Sequence, residues 1–144
     1  MLFTPRLVRA LLALLILTST ALGATGASLV AKTWDGSNSP DWHDPANWTP
    51  FGVPDPADDV TIPAAPVNQP QITVAPVAVH NLTVAANASL QIWSQQVDVG
   101  GNLTVNGQVM SMAGGATLNV NNGFTVSGSS ASLSNPAQTN LTGN

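Results

Sequence analysis

The sequence lacks cysteine, tyrosine and glutamate, and only three of its 144 residues are lysine or arginine. Without cysteine the fold has no disulfide bridges, so its hydrophobic core must stabilise it alone. A lipid anchor of the bacterial lipoprotein type is also excluded, because such an anchor is attached to a cysteine.

The N-terminal segment, 1–23, has the order of charges that is typical of a secretory signal peptide. Arg6 and Arg9 precede the apolar run ALLALLILTSTAL, and Ala21-Leu22-Gly23 offers a small-residue cleavage site. The apolar run is shorter than the about 20 residues that a membrane span needs. We therefore expect this segment to be a signal peptide, the mature protein to be secreted or held at the cell surface, and no membrane insertion after cleavage.

Removal of this segment makes the chain strongly acidic. Lys32 is then the only basic side chain against seven aspartates, a formal charge of about −6. Such a surface repels phosphate backbones, so nucleic acids are excluded as partners.

A repeated plan runs through the second half of the chain. VAVHNLTV (77–84), VDVGGNLTV (97–105) and LNVNNGFTV (118–126) each join a short alternating strand to a second one, and the second strands recur at equal intervals. Apolar and polar residues alternate with the period of a half-buried strand. The repeat predicts inward columns of side chains made of Leu82, Val84, Val97, Val99, Leu103, Val105, Leu118, Val120, Phe124 and Val126.

A fixed repeat of this length predicts an all-β fold in which each repeat is one coil. One coil cannot bury its inner face alone, and neighbouring coils about 4.8 Å apart do so for each other. We expect a right-handed parallel β-helix, or β-solenoid, of about three to four short coils. An antiparallel β-sandwich is the alternative, since GQVMSMAGGA is out of phase with SLQIWSQ and one face does not repeat cleanly.

The segment before the repeats is rich in tryptophan, aspartate and proline. In DPANW, Asp44 is predicted to cap one helical turn that Pro45 begins. Trp34, Trp42 and Trp48 are expected to close one end of the solenoid core, with a sugar-stacking platform as the alternative. The predicted organisation is a signal peptide (1–23), a cap segment (24–65) and solenoid repeats (66–144).

Several motifs together resemble a known group of proteins. The pattern W-x-G…W…A-N-W…V-P…D-D-V-x-I-P, followed by NQPQI and NLTV repeats, resembles the N-terminal region of bacterial β-helical surface and autotransporter-like proteins. The resemblance implies an exported adhesin-like or structural role.

Few residues are candidates for a site. Trp93 stands among glutamine and serine, where an indole can contact a sugar or fill a corner. Asp55, Asp58 and Asp59 could supply oxygens to Ca²⁺, but their spacing matches no known calcium loop, and turn formation is the alternative. No other cofactor is expected.

Catalysis is not expected, because the repeats carry one acid, Asp98, whose counterpart one coil on is Asn119. Two functions remain: an exported structural or adhesive surface module that forms the front of a larger protein, and a carbohydrate-binding module or non-catalytic front of a polysaccharide-active enzyme. Extracellular polysaccharides or proteins are the expected partners. The final residues carry no charge that would deter strand pairing, so self-association through an open C-terminal coil is a further expectation.

Overall fold

A computed structural model describes residues 29–74, 76–134 and 138–142. The predicted signal peptide lies outside these residues. The described strands are β1 (Ala31–Trp34), β2 (Trp48–Thr49), β3 (Asp59–Ile62), β4 (Gln71–Ile72), β5 (Val77–Val79), β6 (Asn81–Val84), β7 (Ser89–Trp93), β8 (Gln96–Val99), β9 (Leu103–Val105), β10 (Gln108–Ala113), β11 (Thr117–Val120), β12 (Phe124–Val126), β13 (Ser132–Ser134) and β14 (Gln138–Leu141). One short 3₁₀ helix, Pro45–Asn47, lies between β1 and β2.

The strands form three sheets that the chain visits in turn. Sheet A has the order β12-β9-β6-β3-β1-β2, sheet B the order β13-β10-β7-β4, and sheet C the order β14-β11-β8-β5. Successive coils pair in parallel, and in the described sheets only β1 and β2 pair antiparallel. The fold is therefore a β-solenoid of about four coils, as the repeat predicted, and not a sandwich.

The inward columns follow the predicted register. In sheet A, Leu82 pairs with Leu103 and Leu103 with Phe124, while Thr83, Thr104 and Thr125 share the outer face. Val60 extends the first column by one coil. Each inward side chain thus packs between its counterparts above and below, and Leu82, Leu103 and Leu118 are about 1% exposed.

Two predicted core residues in the last coil are less buried than expected. Val126 pairs with Val105 and occupies the right column, yet it is 43% exposed. Phe124 is only partly buried against the core. In the described part of the chain β12 has a neighbour on one side only, so these side chains are covered on one side.

Sheet B contains the segments that are out of phase in the sequence, and its strands still pair in parallel. Leu90 pairs with Val109, and Val109 pairs with Leu133, although the second of these intervals along the chain is longer than the first. The register of β7 and β10 shifts at Ser111/Ala113, which is a β-bulge or irregularity. Corners and a shift in register therefore absorb the differences in repeat length.

Tryptophans close the N-terminal end of the core. Trp34, Trp42 and Trp48 are all at most 2% exposed, and both neighbouring pairs of rings meet edge to face, with centroids 5.0 and 4.7 Å apart. The indole N–H of Trp34 donates to Asn68 O (2.7 Å), and that of Trp48 donates to Trp42 O (2.9 Å). The rings therefore form the expected cap and are not a sugar platform, because their faces are buried.

Two short motifs hold this cap in place. Asp44 accepts a hydrogen bond from Ala46 N (3.0 Å) at the start of the 3₁₀ helix, as predicted. Gly36 has a φ of +61°, and a side chain there would lie 2.5 Å from Trp34 Nε1. The glycine of the W-x-G motif therefore leaves room for the indole hydrogen bond.

Asn47 is the polar centre of the cap. Its side chain is 0% exposed and makes four hydrogen bonds. The amide oxygen accepts from Asn38 N and Ser39 N (both 3.0 Å), and Nδ2 donates to Ser39 Oγ and Asp41 O (both 3.0 Å). Asn47 thus fixes the loop over which the tryptophans fold.

Lys32 occupies the end of an inward column, in register with Val60. Its ammonium group donates to the carbonyls of Pro50 (3.0 Å), Phe51 (3.2 Å) and Gly52 (2.9 Å). A lysine can end this column because the loop after β2 supplies acceptors for its charge.

We expect Leu103→Asp to unfold the protein and Thr104→Asp to cost about 1 kcal/mol or less. The first variant buries an unpaired charge, at a cost comparable to the about 5–15 kcal/mol that stabilises a domain. Urea denaturation followed by far-UV circular dichroism measures both. Equal destabilisation by the two substitutions would contradict the assignment of faces.

We expect Asn47→Ala to lower the free energy of unfolding by about 3 kcal/mol or more, since it removes four partly buried hydrogen bonds at once. The matched control is Asn38→Ala, which removes one exposed hydrogen bond and should cost about 1 kcal/mol. Tryptophan fluorescence during denaturation reports on the cap directly. A cost for Asn47→Ala no larger than that of Asn38→Ala would show that this network is not needed.

Candidate functional site

The outer face of sheet C carries a column of polar side chains. Asp98 pairs with Asn119, and Asn119 pairs with Asn140, one coil apart in each case. These residues face outward because the apolar residues on either side of them, Val97 and Val99 in β8, fill the core. The column therefore runs along the solenoid axis, across three strands.

Hydrogen bonds connect this column into a ladder. Gln96 Nε2 donates to both carboxylate oxygens of Asp98 (2.9 and 2.7 Å). Asn119 Nδ2 donates to Asp98 Oδ1 (2.6 Å), and Asn140 Nδ2 donates to Asn119 Oδ1 (2.8 Å). Each side chain is thus held in one orientation by the residue on the neighbouring coil.

A second polar row borders the ladder. Thr142 Oγ1 donates to Asn121 Oδ1 (3.3 Å) on the preceding coil. Between the two rows lies a surface groove of about 600 Å³. We call it the sheet C groove, and it is lined by Asp98, Asn119, Asn121, Thr139, Asn140 and Thr142.

Another ladder lies at the corner that leads into sheet A. Asn81 Nδ2 donates to Asp59 Oδ1 (2.7 Å), and Asn81 Oδ1 accepts from Asn102 N (2.6 Å). Asn102 Oδ1 then accepts from Gly123 N (3.0 Å). A side chain at Gly101 would collide with Asn81 Oδ1, so the G-N sequence at this corner leaves space for the ladder.

Asp59 begins this corner ladder as a carboxylate. The ring of His80 hydrogen-bonds to Asp59 Oδ1 through Nδ1 (2.7 Å). This hydrogen bond, together with that from Asn81, lowers the pKa of Asp59 below its ordinary value of 3.8. Asp59 is therefore ionised at neutral pH, and its carboxylate accepts hydrogen bonds from residues of the corner ladder.

The three aspartates that the sequence suggested for Ca²⁺ serve different parts of the structure. Asp55 Oδ1 accepts from Ala57 N (2.7 Å), and Asp58 Oδ2 accepts from Asp55 N (2.9 Å), which closes a turn. Asp58 is 4% exposed, whereas its neighbour Asp59 lies on the outer face at the start of β3. Across residues 29–74, 76–134 and 138–142 no three His, Cys, Asp or Glu side chains form a group that could hold a metal ion.

Trp93 lies at the end of β7 and is 39% exposed. It pairs with Ala113 beyond the register shift of β10, so it is at a corner of the solenoid. Trp93 is not among the residues that line the sheet C groove. Exposure allows a sugar contact, and that role stays a prediction.

The sheet C groove was not predicted from the sequence, although a signal for it exists. Asp98, Asn119 and Asn140 recur at equal intervals, with the same period as the core columns. Asn119 in place of an acid argues against catalysis, and Asn140 continues the same column on the next coil. An outer column is harder to recognise than an inner one because surface positions tolerate many polar residues.

Comparison with known families gives one match. Residues 33–142 match the model of a family described as a domain of unknown function, DUF8693. No curated protein and no solved structure matches the chain. In the part of the chain that the structure describes, no helix has the length and hydropathy needed to cross a membrane.

We expect millimolar Ca²⁺ to leave the melting temperature of the protein unchanged, because Asp55, Asp58 and Asp59 hold backbone and side-chain donors in place. Asp58→Ala should lower the stability by about 1–3 kcal/mol, since Asp55 N loses its acceptor. Differential scanning calorimetry with and without Ca²⁺ measures both. A rise in melting temperature with Ca²⁺ that Asp58→Ala abolishes would establish the calcium site instead.

Proposed function

We propose a function for this chain from its structure and its sequence. The chain belongs to the DUF8693 family, whose description is that of a domain of unknown function. The proposed function is that of an exported, non-catalytic structural module: a stiff β-solenoid that presents flat polar faces at the cell surface.

The observation that supports this function most is the continuity of the core from the cap through successive coils. Inward side chains of sheets A, B and C pack in register, and those of the inner coils are buried. Strands such as β6 and β9 pair on both sides, so their backbone groups are protected. Such a core resists bending and opens few backbone segments to proteases.

The cap supports the same function. It closes the core where the solenoid would otherwise show apolar columns and unpaired strand groups. Trp34, Trp42 and Trp48 achieve this by burial and by two indole hydrogen bonds, without a disulfide.

Export is supported by sequence. Residues 1–23 carry the features of a signal peptide, and the W-x-G to D-D-V-x-I-P pattern resembles bacterial β-helical surface proteins. Localisation at the cell surface and self-association through the open C-terminal coil stay predictions.

The absence of a catalytic role is part of the proposal. Two groups that could abstract a proton are engaged in structure: the ammonium group of Lys32 by three carbonyls, and the ring of His80 by Asp59. Asp98 lies beside amides and not beside a second acid. A hydrolase or lyase site needs paired acids or a free base in the groove.

The test is to express the full chain in a bacterial host that has a general export pathway. We expect the protein outside the cytoplasm, with a mass that corresponds to a chain beginning at Ala24. We also expect it to resist proteinase K at concentrations that digest Leu103→Asp completely, and the matched control, Thr104→Asp, should stay resistant. Retention of the full-length chain in the cytoplasm would contradict export, and cleavage of the native protein as fast as Leu103→Asp would contradict a rigid module.

A further inference from the structure

We propose that the sheet C groove binds a neutral polysaccharide, with the polymer running along the solenoid axis across β8, β11 and β14. This inference does not depend on the structural role proposed above, because it concerns one outer face and not the core.

The lining of the groove has the chemistry that recognises sugar hydroxyls. Amide and hydroxyl side chains both donate and accept hydrogen bonds, and a carboxylate accepts them. The ladder uses one Nδ2 hydrogen of Asn119 and one of Asn140. Each amide therefore carries a second N–H, and Asn121 adds two more, to pair with hydroxyl oxygens.

The arrangement of these groups is ordered before any ligand arrives. Asp98 holds Asn119, and Asn119 holds Asn140, so the amides face the groove in fixed orientations. Binding of a ligand then carries little entropic cost for immobilising these side chains. Preorganisation by the ladder compensates for the lack of a stacking ring among the residues that line the groove.

The repeat of the groove favours a polymer over a single sugar. Equivalent polar groups recur on the three successive coils of β8, β11 and β14, at a spacing of about 4.8 Å. The interval along the chain from Asp98 to Asn119 equals that from Asn119 to Asn140. A chain of sugar units that spans several coils engages several sets of groups, and linked contacts bind more strongly than separate ones.

Charge and backbone pairing argue against other polymers. Lys32 is the only lysine or arginine after the predicted signal peptide, and its ammonium group is held in the cap, so it does not face an anionic glycan or a nucleic acid in the groove. A peptide would bind by adding a strand to a sheet edge or by placing side chains in apolar pockets. β11, the central strand of the groove, pairs with β8 on one side and β14 on the other and so offers no free edge, and the residues that line the groove are polar.

The experiment is affinity electrophoresis of the exported protein in native gels that contain hydroxyethyl cellulose, galactomannan or soluble starch, with polygalacturonate as the anionic arm. The groove variant combines Asn119→Ala and Asn121→Ala. The matched control combines Thr83→Ala and Thr104→Ala, two outward residues of sheet A. Trp93→Ala tests the separate sugar contact suggested by the sequence.

We expect at least one neutral polysaccharide to retard the parent protein and polygalacturonate not to do so. The groove variant should bind about tenfold more weakly, as expected for the loss of one or two hydrogen bonds, while the sheet A control is unchanged. Denaturation curves that match those of the parent protein show that the variant is folded.

Three results would overturn the proposal. The first is no retardation by any neutral polysaccharide; the second is equal retardation of the parent protein and the groove variant. The third is a loss of retardation in Trp93→Ala alone, which would move the sugar contact to the corner. None of these results bears on export or protease resistance, so the structural role would stand or fall separately.

Discussion

The structure depends on one constraint: the inner face of a coil is buried only when another coil lies against it. Leu103 is about 1% exposed because Leu82 and Phe124 cover it on either side. Val126 in β12, the last described strand of sheet A, is covered on one side and is 43% exposed. Regular spacing in the sequence follows from this constraint, since a side chain must reach the same position on every coil. The corner ladder of Asp59, Asn81 and Asn102 follows a similar spacing because it connects the same coils.

The cap meets this constraint by different means. At the N-terminal end of the described core, large rings replace a missing coil and Lys32 replaces an inward valine or leucine. Burying rings and a cation requires acceptors for the indole N–H groups and the ammonium group. The loops that contain Asn68, Trp42 and Pro50 supply them. This fits the richness of the cap in proline, whose carbonyls can be placed without regular strands.

Much of the fold could be predicted because alternation and repeat length are direct consequences of strand geometry. The inward columns, the outer threonines and the cap tryptophans all followed from periodicity and residue size. The shift near Ser111 could not be read in this way, because the sequence shows a loss of phase but not how corners absorb it. Asp55, Asp58 and Asp59 were predicted as calcium ligands because they are close in sequence. In the structure Asp58 is buried and Asp59 lies on the outer face, so the three carboxylates do not converge. To predict the sheet C groove from sequence, one must know which outer columns are neighbours, and that depends on how the strands are arranged in the sheets.

From β8 onwards the core columns of sheets A and C, the corner ladder and the groove share one interval along the chain, so an in-frame duplication of one repeat would extend all three at once. Length of the rod and length of the groove are therefore inherited together. A lineage in which the solenoid becomes longer would also gain contact positions for a long polymer. Selection on the length of the solenoid would therefore change the length of the groove, and the reverse.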